Sequence, residues 1–550
     1  MAYNHWFVSR QKRQLTTILQ ALVAYSDVCV GKEWDHNLQL DFEDILGGRD
    51  ITEHGSLRAR RAGQGGGGTR TLFKQMKDLG LVFIEEENRK CRLTLIGEEL
   101  VKGNISFVDA MRLQLQRYQY PSAAVWSGSG SVSRMFRIHP FQFIFRLLRD
   151  PRLENNLSME EMYGIVIHKA ISDSHEVFED VVSRIIRYRQ NITDDFVEDT
   201  DTKTYSNIAN TFFNYISMTQ YTDRGWKTLS IRQGKEKEVN AFIESAPSFI
   251  SNPELTENYQ RKYGRGKAAM DRRNFNRENV LSQKELNEAR IRKEYVLLAL
   301  KTPITGITPD VIEYVSHNTG VDELTVERFL IQNCPQGNIN DFFLSYKELA
   351  HMGRDGAKDF ELATCEMFRK IFRMKAKHVG SLGNTPDVFI ESNDAGFCGI
   401  IDNKAYKNGY SISGDNKRVM EDVYIPNYKR YGQTNLPLVF FTYIAGSFGS
   451  NINSQLAMIT KDTGVNGSAM PVDIFINLAQ DYAEMGCNHQ FLKSIFSVNR
   501  EVRLSDLPTK KTTALSGRQP YKELSMVADP EESEEQNNIP EGFEYPHQGD

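Results

Sequence analysis

The strongest constraint in this sequence is a pair of charged side chains set inside an apolar run, Phe397-Cys398-Gly399-Ile400-Ile401-Asp402-Asn403-Lys404-Ala405. An unpaired charge in a buried strand is costly, so Asp402 and Lys404 need partners or a purpose. The residues before them frame the run. Phe360, Ala363, Thr364, Met367, Phe368, Ile371 and Phe372 recur at helical spacing, with Glu361 near the start of the same segment. Thr385-Pro386-Asp387-Val388-Phe389-Ile390 reads as a short strand opened by proline, and Ser392-Asn393-Asp394-Ala395-Gly396 has turn chemistry. The expectation is a helix followed by a hairpin whose second strand carries the charges.

Strand geometry then limits what these groups can do. Side chains alternate, so Asp402 and Lys404 share one face while Ile401 and Asn403 point the other way. Asp387, at the start of the preceding strand, is expected beside Asp402. Two close carboxylates raise each other's pKa unless a cation lies between them, and a hard divalent ion such as Mg2+ suits oxygen ligands. An adjacent lysine would orient a water or neutralise charge growing on a phosphate. Together these parts suit phosphodiester hydrolysis.

This is the Pro-Asp…(Asp/Glu)-x-Lys arrangement of the restriction-endonuclease-like nucleases, and the surrounding sequence resembles the FokI-like cleavage domain of type IIS restriction enzymes. Lys377-His378-Val379-Gly380 is similar to a Lys-His-Leu-Gly run there, and Asp402-Asn403-Lys404-Ala405-Tyr406 to Asp-Thr-Lys-Ala-Tyr. Gly446-Ser447-Phe448-Gly449, Gln455-Leu456 and Thr460 to Gly467 follow its strand-then-helix continuation. The resemblance covers roughly residues 340 to 490. It implies Asp387 and Asp402 as metal ligands, Lys404 as the catalytic lysine and Glu361 as a supporting acid. A lone histidine earns no such role: His378 is expected to be positional or to contact backbone, with phosphate contact as the alternative, and Asn403 is expected to face the core or a neighbouring element. The resemblance also implies a transient homodimer, for which Arg418 and Asp422, spaced i, i+4, are candidate contacts across a two-fold axis. An intrahelical salt bridge is the competing use of that pair.

The N-terminal half offers a different pattern. Thr69 to Leu79 places Leu72, Phe73, Met76 and Leu79 on one helical face, Gly80 stops the helix, and Leu81-Ile84 and Cys91-Leu95 read as a hairpin before a helix near Gly97-Leu100. Helix, hairpin, helix in this order resembles a winged-helix module, whose first helix enters a DNA groove. Arg70, Lys74 and Lys77 are the candidate DNA contacts on that helix. Arg58, Arg60 and Arg61, next to the run Gly65-Gly68, are the candidates on a flexible loop, which as a plain solvated linker would contact nothing. No Gly-Lys-Ser/Thr follows these glycines, so no nucleotide cofactor is expected. Tyr205-Ile216, Thr228-Arg232 and Val239-Ile243 read either as a weaker second copy or as plain helical packing. Arg261 to Lys293 is strongly basic and is expected to connect the halves, following phosphates or forming a solvated face. A small helical unit is expected at Tyr295-Leu330.

Composition bounds the rest. The chain has 550 residues, 40% hydrophobic and 25% charged, enough for several domains with real cores. No apolar run is long enough to span a membrane, and no secretory signal opens the sequence. Six scattered cysteines without a CxxC pair fit a reducing cytoplasm, bacterial by the resemblance. Eight of the last 22 residues are acidic and none is basic, so the net charge of −5 hides a mildly basic body, 67 basic against 64 acidic residues.

The expected architecture is multidomain α+β. A winged-helix-rich recognition half comprises modules at 1–150 and 151–250, and a basic linker with a helical unit spans 251–340. An α/β restriction-endonuclease-like nuclease domain spans 341–510, and an acidic, disordered tail spans 511–550. The expected function is type IIS restriction: binding a short asymmetric double-stranded DNA site and cutting outside it with Mg2+. A strand-specific nicking enzyme and a non-catalytic DNA-binding protein are the rivals.

Overall fold

The computed structural model describes residues 4–9, 15–48, 67–126, 135–192, 196–197, 204–225, 227–245, 247–252, 255–275, 283–380, 384–406, 409–482 and 487–507. Arg58, Arg60, Arg61 and the acidic tail lie outside these residues.

Apolar side chains from Trp6 to Tyr263, joined by Val296, Leu300 and Leu344, close into one core that runs across the expected boundary at residue 150. At its centre the Thr16–Val28 helix buries Ile18, Leu19, Leu22, Val23 and Tyr25 completely, as a helix apolar on all sides must. The Gly67–Asp78 helix turns Leu72, Phe73 and Met76 inward, with Leu79 buried just beyond its end. It begins in the glycine run, two residues ahead of Thr69. Gly80 follows with φ +69°, and a Cβ there would strike the Tyr263 ring and the Gln114 amide, so only glycine fits. Strands β1 (Val82–Ile84) and β2 (Cys91–Leu93) pair antiparallel, and Thr94 caps the Leu95–Val101 helix by accepting the Gly97 N–H at 3.2 Å. The helix–hairpin–helix order is the one expected.

The second copy carries one strand more than its sequence suggests. After the Thr204–Ser217 helix, β4 (Thr222–Arg224) and β5 (Thr228–Ile231) form a hairpin before the Glu236–Glu244 helix, and β3 (Asn156–Ser158) pairs with β5 on its other side. β3 and β4 are poorer in apolar residues than β1 and β2: their sequences are Asn-Leu-Ser and Thr-Asp-Arg. The basic stretch is not one solvated connector. Tyr259 and Tyr263 are buried in the first core, the Ile96 N–H donates to the Gly264 carbonyl at 2.9 Å, and Arg273 pairs with Asp271 and Glu98. Arg261 pairs with Glu257. These arginines are neutralised within the fold rather than left for phosphates. Beyond them the helices Gln283–Ala299, Pro309–Thr319 and Glu323–Asn333 share a small core of their own.

The C-terminal unit is built on a five-stranded mixed sheet in the order β10-β9-β8-β7-β6. Its strands are β6 (Lys375–His378), β7 (Val388–Ser392), β8 (Phe397–Lys404), β9 (Leu438–Ala445) and β10 (Asn466–Pro471). The β6–β7–β8 pairs are antiparallel and β8–β9–β10 parallel. Helices cover both faces and make two separate cores, which is why β8 reads as a continuous apolar run. Gly399 is required within it, because a Cβ would meet the Phe440 ring at 2.6 Å.

The Ile339–Leu349 helix docks this unit on the N-terminal core, in which its Leu344 is buried, and Arg232 reaches Asp473 at 3.6 Å beside it. The Asp341 carboxylate accepts the Phe107 and Val108 N–H groups at 3.1 and 3.2 Å, at the start of the Phe107–Arg117 helix. One face further along, Glu348 accepts the Leu15 N–H and both the N–H and hydroxyl of Thr16, at the start of the Thr16–Val28 helix. Carboxylates at helix N-termini complete unpaired N–H groups and oppose the positive end of the dipole. Burial nevertheless raises Asp341 to about 6 and Glu348 to about 7, against the pull of those donors. Both acids therefore hold protons more tightly folded than unfolded. Their contribution to stability is complete below about pH 4 and is lost as the pH rises through 6 and 7. The melting temperature followed from pH 5 to 8 is expected to fall less steeply in an Asp341→Asn, Glu348→Gln double variant than in the wild type. Equal slopes would refute the assignment.

Candidate active site

The hairpin β7–β8 brings the charged residues together by register. Val388 lies opposite Ile401, so Asp387 comes beside Asp402, and the Asn403 N–H donates to Asp387 Oδ2 at 2.6 Å. Asp402 is 4% exposed, and Lys404 Nζ stands 3.0 and 2.9 Å from its two carboxylate oxygens. Burial, then Asp402 and Glu361, lift the Asp387 carboxyl well above the ordinary range, against Lys404 and the Asn403 N–H. Burial would lower the Lys404 ammonium, but Asp402 and Asp387 outweigh it and raise it above the ordinary lysine value.

Glu361 enters from the Ala357–Glu366 helix, which packs against β6, β7 and β8. Its Oε2 stands 2.8 Å from His378 Nε2, so the histidine at the end of β6 orients the acid. A Cβ on Gly380 would lie 3.0 Å from Glu361 Oε2 and 3.3 Å from Asp387 Oδ1. The glycine therefore leaves open a cradle between two acids that any side chain would crowd. Asn403 points the other way, as strand alternation requires. Its amide donates to Thr364 Oγ1 at 2.6 Å, and Thr364 in turn meets the Tyr346 hydroxyl at 2.7 Å. This buried chain ties β8 to two helices and sets the height of the hairpin beneath the acids. No local motif marks Thr364 or Tyr346, because their role comes from packing between elements.

Asp387, Asp402, Lys404 and Glu361 are thus gathered at one place. The donors are all oxygen, the open cradle lies between Glu361 and Asp387, and Asp387 is left crowded by the other two carboxylates, which fits a hard divalent cation. Among the described residues no group of three or more His, Cys, Asp or Glu side chains is already placed to hold a metal ion. Magnesium commonly takes one or two carboxylates and completes its shell with water and phosphate oxygens.

The other candidates lie elsewhere. Arg70, Lys74 and Lys77 fall at i, i+4, i+7 along one stripe of the Gly67–Asp78 helix, Arg70 exposed and the two lysines half-buried. No ion pair among the described residues holds them. Burial and then Lys74 lower Lys77 to about 8. Arg418, with a 71% exposed side chain, is 3.5 Å from Asp415 and does not pair with Asp422, which is also exposed. The helix changes at Val419 to a π-turn, and its i→i+5 hydrogen bonding carries Asp422 away from Arg418. All six cysteines are free, and no described helix is long and apolar enough to cross a membrane.

A mixed sheet with an acid pair and a lysine on adjoining strands defines the restriction-endonuclease-like class of site. Comparison with known proteins agrees: residues 320–503 match the family model of the FokI cleavage domain, and residues 109–238 match that of the type II restriction endonuclease HgaI N-terminal domain. The C-terminal unit is thus similar to the FokI cleavage domain, and part of the N-terminal half to the HgaI N-terminal domain. The first match begins inside the three-helix unit, ahead of residue 341, and the second crosses residue 150. The type II restriction enzyme StsI of Streptococcus sanguinis is 25% identical over 152 residues, 26% of this chain and 25% of the relative. The chain therefore matches about a quarter of the length of that curated relative. Solved structures of restriction endonuclease FokI, alone and bound to DNA, align over 92% of this chain and all of theirs, at 11% and 12% identity and a TM-score of 0.29. The BpuJ1 endonuclease binding domain in complex with modified DNA aligns over 48% of this chain and 96% of its own, at 14% identity and a TM-score of 0.34. Scores this low fall short of a shared fold over the aligned lengths.

Crowded acids without a cation should cost stability. Asp387→Asn keeps an acceptor for the Asn403 N–H and removes the repulsion, so in chelator its melting temperature is expected to rise. A lower melting temperature would contradict the electrostatic account.

Proposed function

We propose that the chain is a type IIS restriction endonuclease. Its N-terminal half binds a short asymmetric site in double-stranded DNA, and its C-terminal unit hydrolyses phosphodiester bonds at a fixed distance outside that site with Mg2+. The observation that carries this reading is the convergence of Asp387, Asp402, Lys404 and Glu361 within the segment that matches the FokI cleavage domain. A bacterial cytoplasm, where such an enzyme would meet invading DNA, suits its free thiols.

In this reading Asp387 and Asp402 hold the magnesium ion, which when bound polarises the scissile phosphate and acidifies water. The Asn403 N–H keeps one Asp387 oxygen turned toward Asp402. Lys404 presents its ammonium to the negative charge that grows on the phosphate oxygens, where a fixed cation in a water-poor site is worth most. Glu361, held by His378, supports the ion or accepts a proton from the attacking water. Recognition falls to the Arg70, Lys74 and Lys77 stripe, with Arg58, Arg60 and Arg61 on the loop before it. Arg418 and Asp422, exposed and not paired with each other, are the contacts through which two nuclease units join to cut both strands.

Asp402→Ala is expected to bind DNA carrying the recognition site with wild-type affinity in a gel-shift assay and to lose at least ~1,000-fold in cleavage rate. Magnesium-dependent cutting at the wild-type rate would remove the site assignment. Arg418→Asp is expected to slow conversion of supercoiled plasmid to linear product about tenfold while open circles still form. A wild-type enzyme that yields open circles alone at high concentration would instead mark a nicking enzyme.

A further inference from the structure

Lys404 stands where two demands meet. Both Asp402 oxygens hold its ammonium, and the same carboxylate is the one assigned to a cation in the proposed function. A carboxylate shared with a divalent ion is a weaker partner for the amine, and a buried ammonium deprived of its counter-charge is strongly disfavoured. A second group is needed to keep it in the cleft.

The ring of Tyr410 stands in that position. Lys404 Nζ lies 5.8 Å from its centroid, within the ~6 Å over which an aromatic face attracts a cation. Tyr410 is 1% exposed and held on every side. Its N–H donates to the Ser447 carbonyl at 2.8 Å, and its carbonyl accepts the Gly449 N–H at 2.9 Å. Its hydroxyl accepts from the Asn416 amide at 3.0 Å. Its ring packs at 5.5 Å on that of Tyr443, which lies directly across β8–β9 from Asp402. The two rings make a wall along the acid–amine pair, and the Tyr443 hydroxyl, fully buried, has no hydrogen-bond partner. A wall of this kind offers the amine a π face and little competing polarity.

We propose that Tyr410 is a positioning residue for cleavage: the face of its ring keeps the Lys404 ammonium in the cleft when Asp402 is shared with a cation. This rests on the roles of Asp402 and Lys404 proposed above. The ring does this, and the hydroxyl only anchors it to Asn416.

The test uses the full chain with Tyr410 replaced by phenylalanine, by leucine, and by phenylalanines of increasing ring fluorination, which keep the shape while draining the π face. Single-turnover cleavage of a mapped DNA substrate is measured in magnesium, and the Kd for the same DNA in calcium. Tyr410→Phe is expected within ~3-fold of wild type in rate, and complete fluorination about tenfold slower than phenylalanine, with Kd unchanged within ~2-fold throughout. Tyr410→Leu, if folded by its melting curve, is expected to be slower still at unchanged Kd. A rate indifferent to fluorination overturns the inference, as does a Kd that weakens in step with the rate. A phenylalanine variant as slow as the fully fluorinated one also overturns it. Asp402→Ala is assayed alongside: if it cuts, the proposed function itself fails, whereas an inactive Asp402→Ala beside a flat fluorination series sinks the role of Tyr410 alone.

Discussion

The bond from the Asn403 N–H to Asp387 Oδ2 is where the fold and the site become one problem. It exists because β7 and β8 pair with Val388 opposite Ile401, and it forces one carboxylate against another in a place from which water has been largely removed. A slip of one residue in that register would turn Asp402 and Lys404 to the opposite face and Asn403 into the cleft. The apolar cores on both faces of the sheet, the Asn403–Thr364–Tyr346 chain and the bare Cα of Gly380 all serve to hold this one arrangement.

Charge is handled differently in the two halves of the molecule. In the C-terminal unit three acids crowd together with one amine between them, a local instability that a functional site retains and a structural one would lose. In the N-terminal half, by contrast, arginines that look available in the sequence are consumed. Arg261 and Arg273 close onto Glu257, Asp271 and Glu98 and lie over the Phe275 ring. The stripe of Arg70, Lys74 and Lys77 makes no ion pair among the described residues, although Glu86 lies near enough to act on Lys77. The halves meet through two carboxylates on the Ile339–Leu349 helix. Each completes a helix N-terminus in the opposite half, and Leu344 of the same helix is buried in the N-terminal core, so the contact joins polar pairing to apolar packing.

Much of the site was legible in the order of residues. Strand alternation separates Asp402 and Lys404 from Asn403, and Pro386-Asp387 opens the partner strand, so a hairpin with its acids adjacent is the only simple reading of that stretch. The helical stripe from Phe360 to Phe372 likewise marks itself by period. The strands β3 and β4 were not legible, since Asn156-Leu157-Ser158 and Thr222-Asp223-Arg224 are largely polar, and β3 meets β5 only through tertiary packing. Nor was the fate of Arg418 and Asp422: spacing makes them neighbours on an α-helix, and the π-turn at Val419 undoes that.

What the sequence determined by itself is whatever depends on neighbours along the chain: the helix–hairpin–helix order near residue 80, the charged apolar strand, and the acids and lysine that share its face. Tertiary structure alone decided which arginines are spent inside the fold and where the nuclease unit docks. It also decided that Tyr410 stands against Lys404, and that one core gathers side chains from Trp6 to Leu344. Each of those depends on side chains far apart in the chain meeting at a few ångströms, and burial, unlike periodicity, leaves no mark that can be read from one segment at a time.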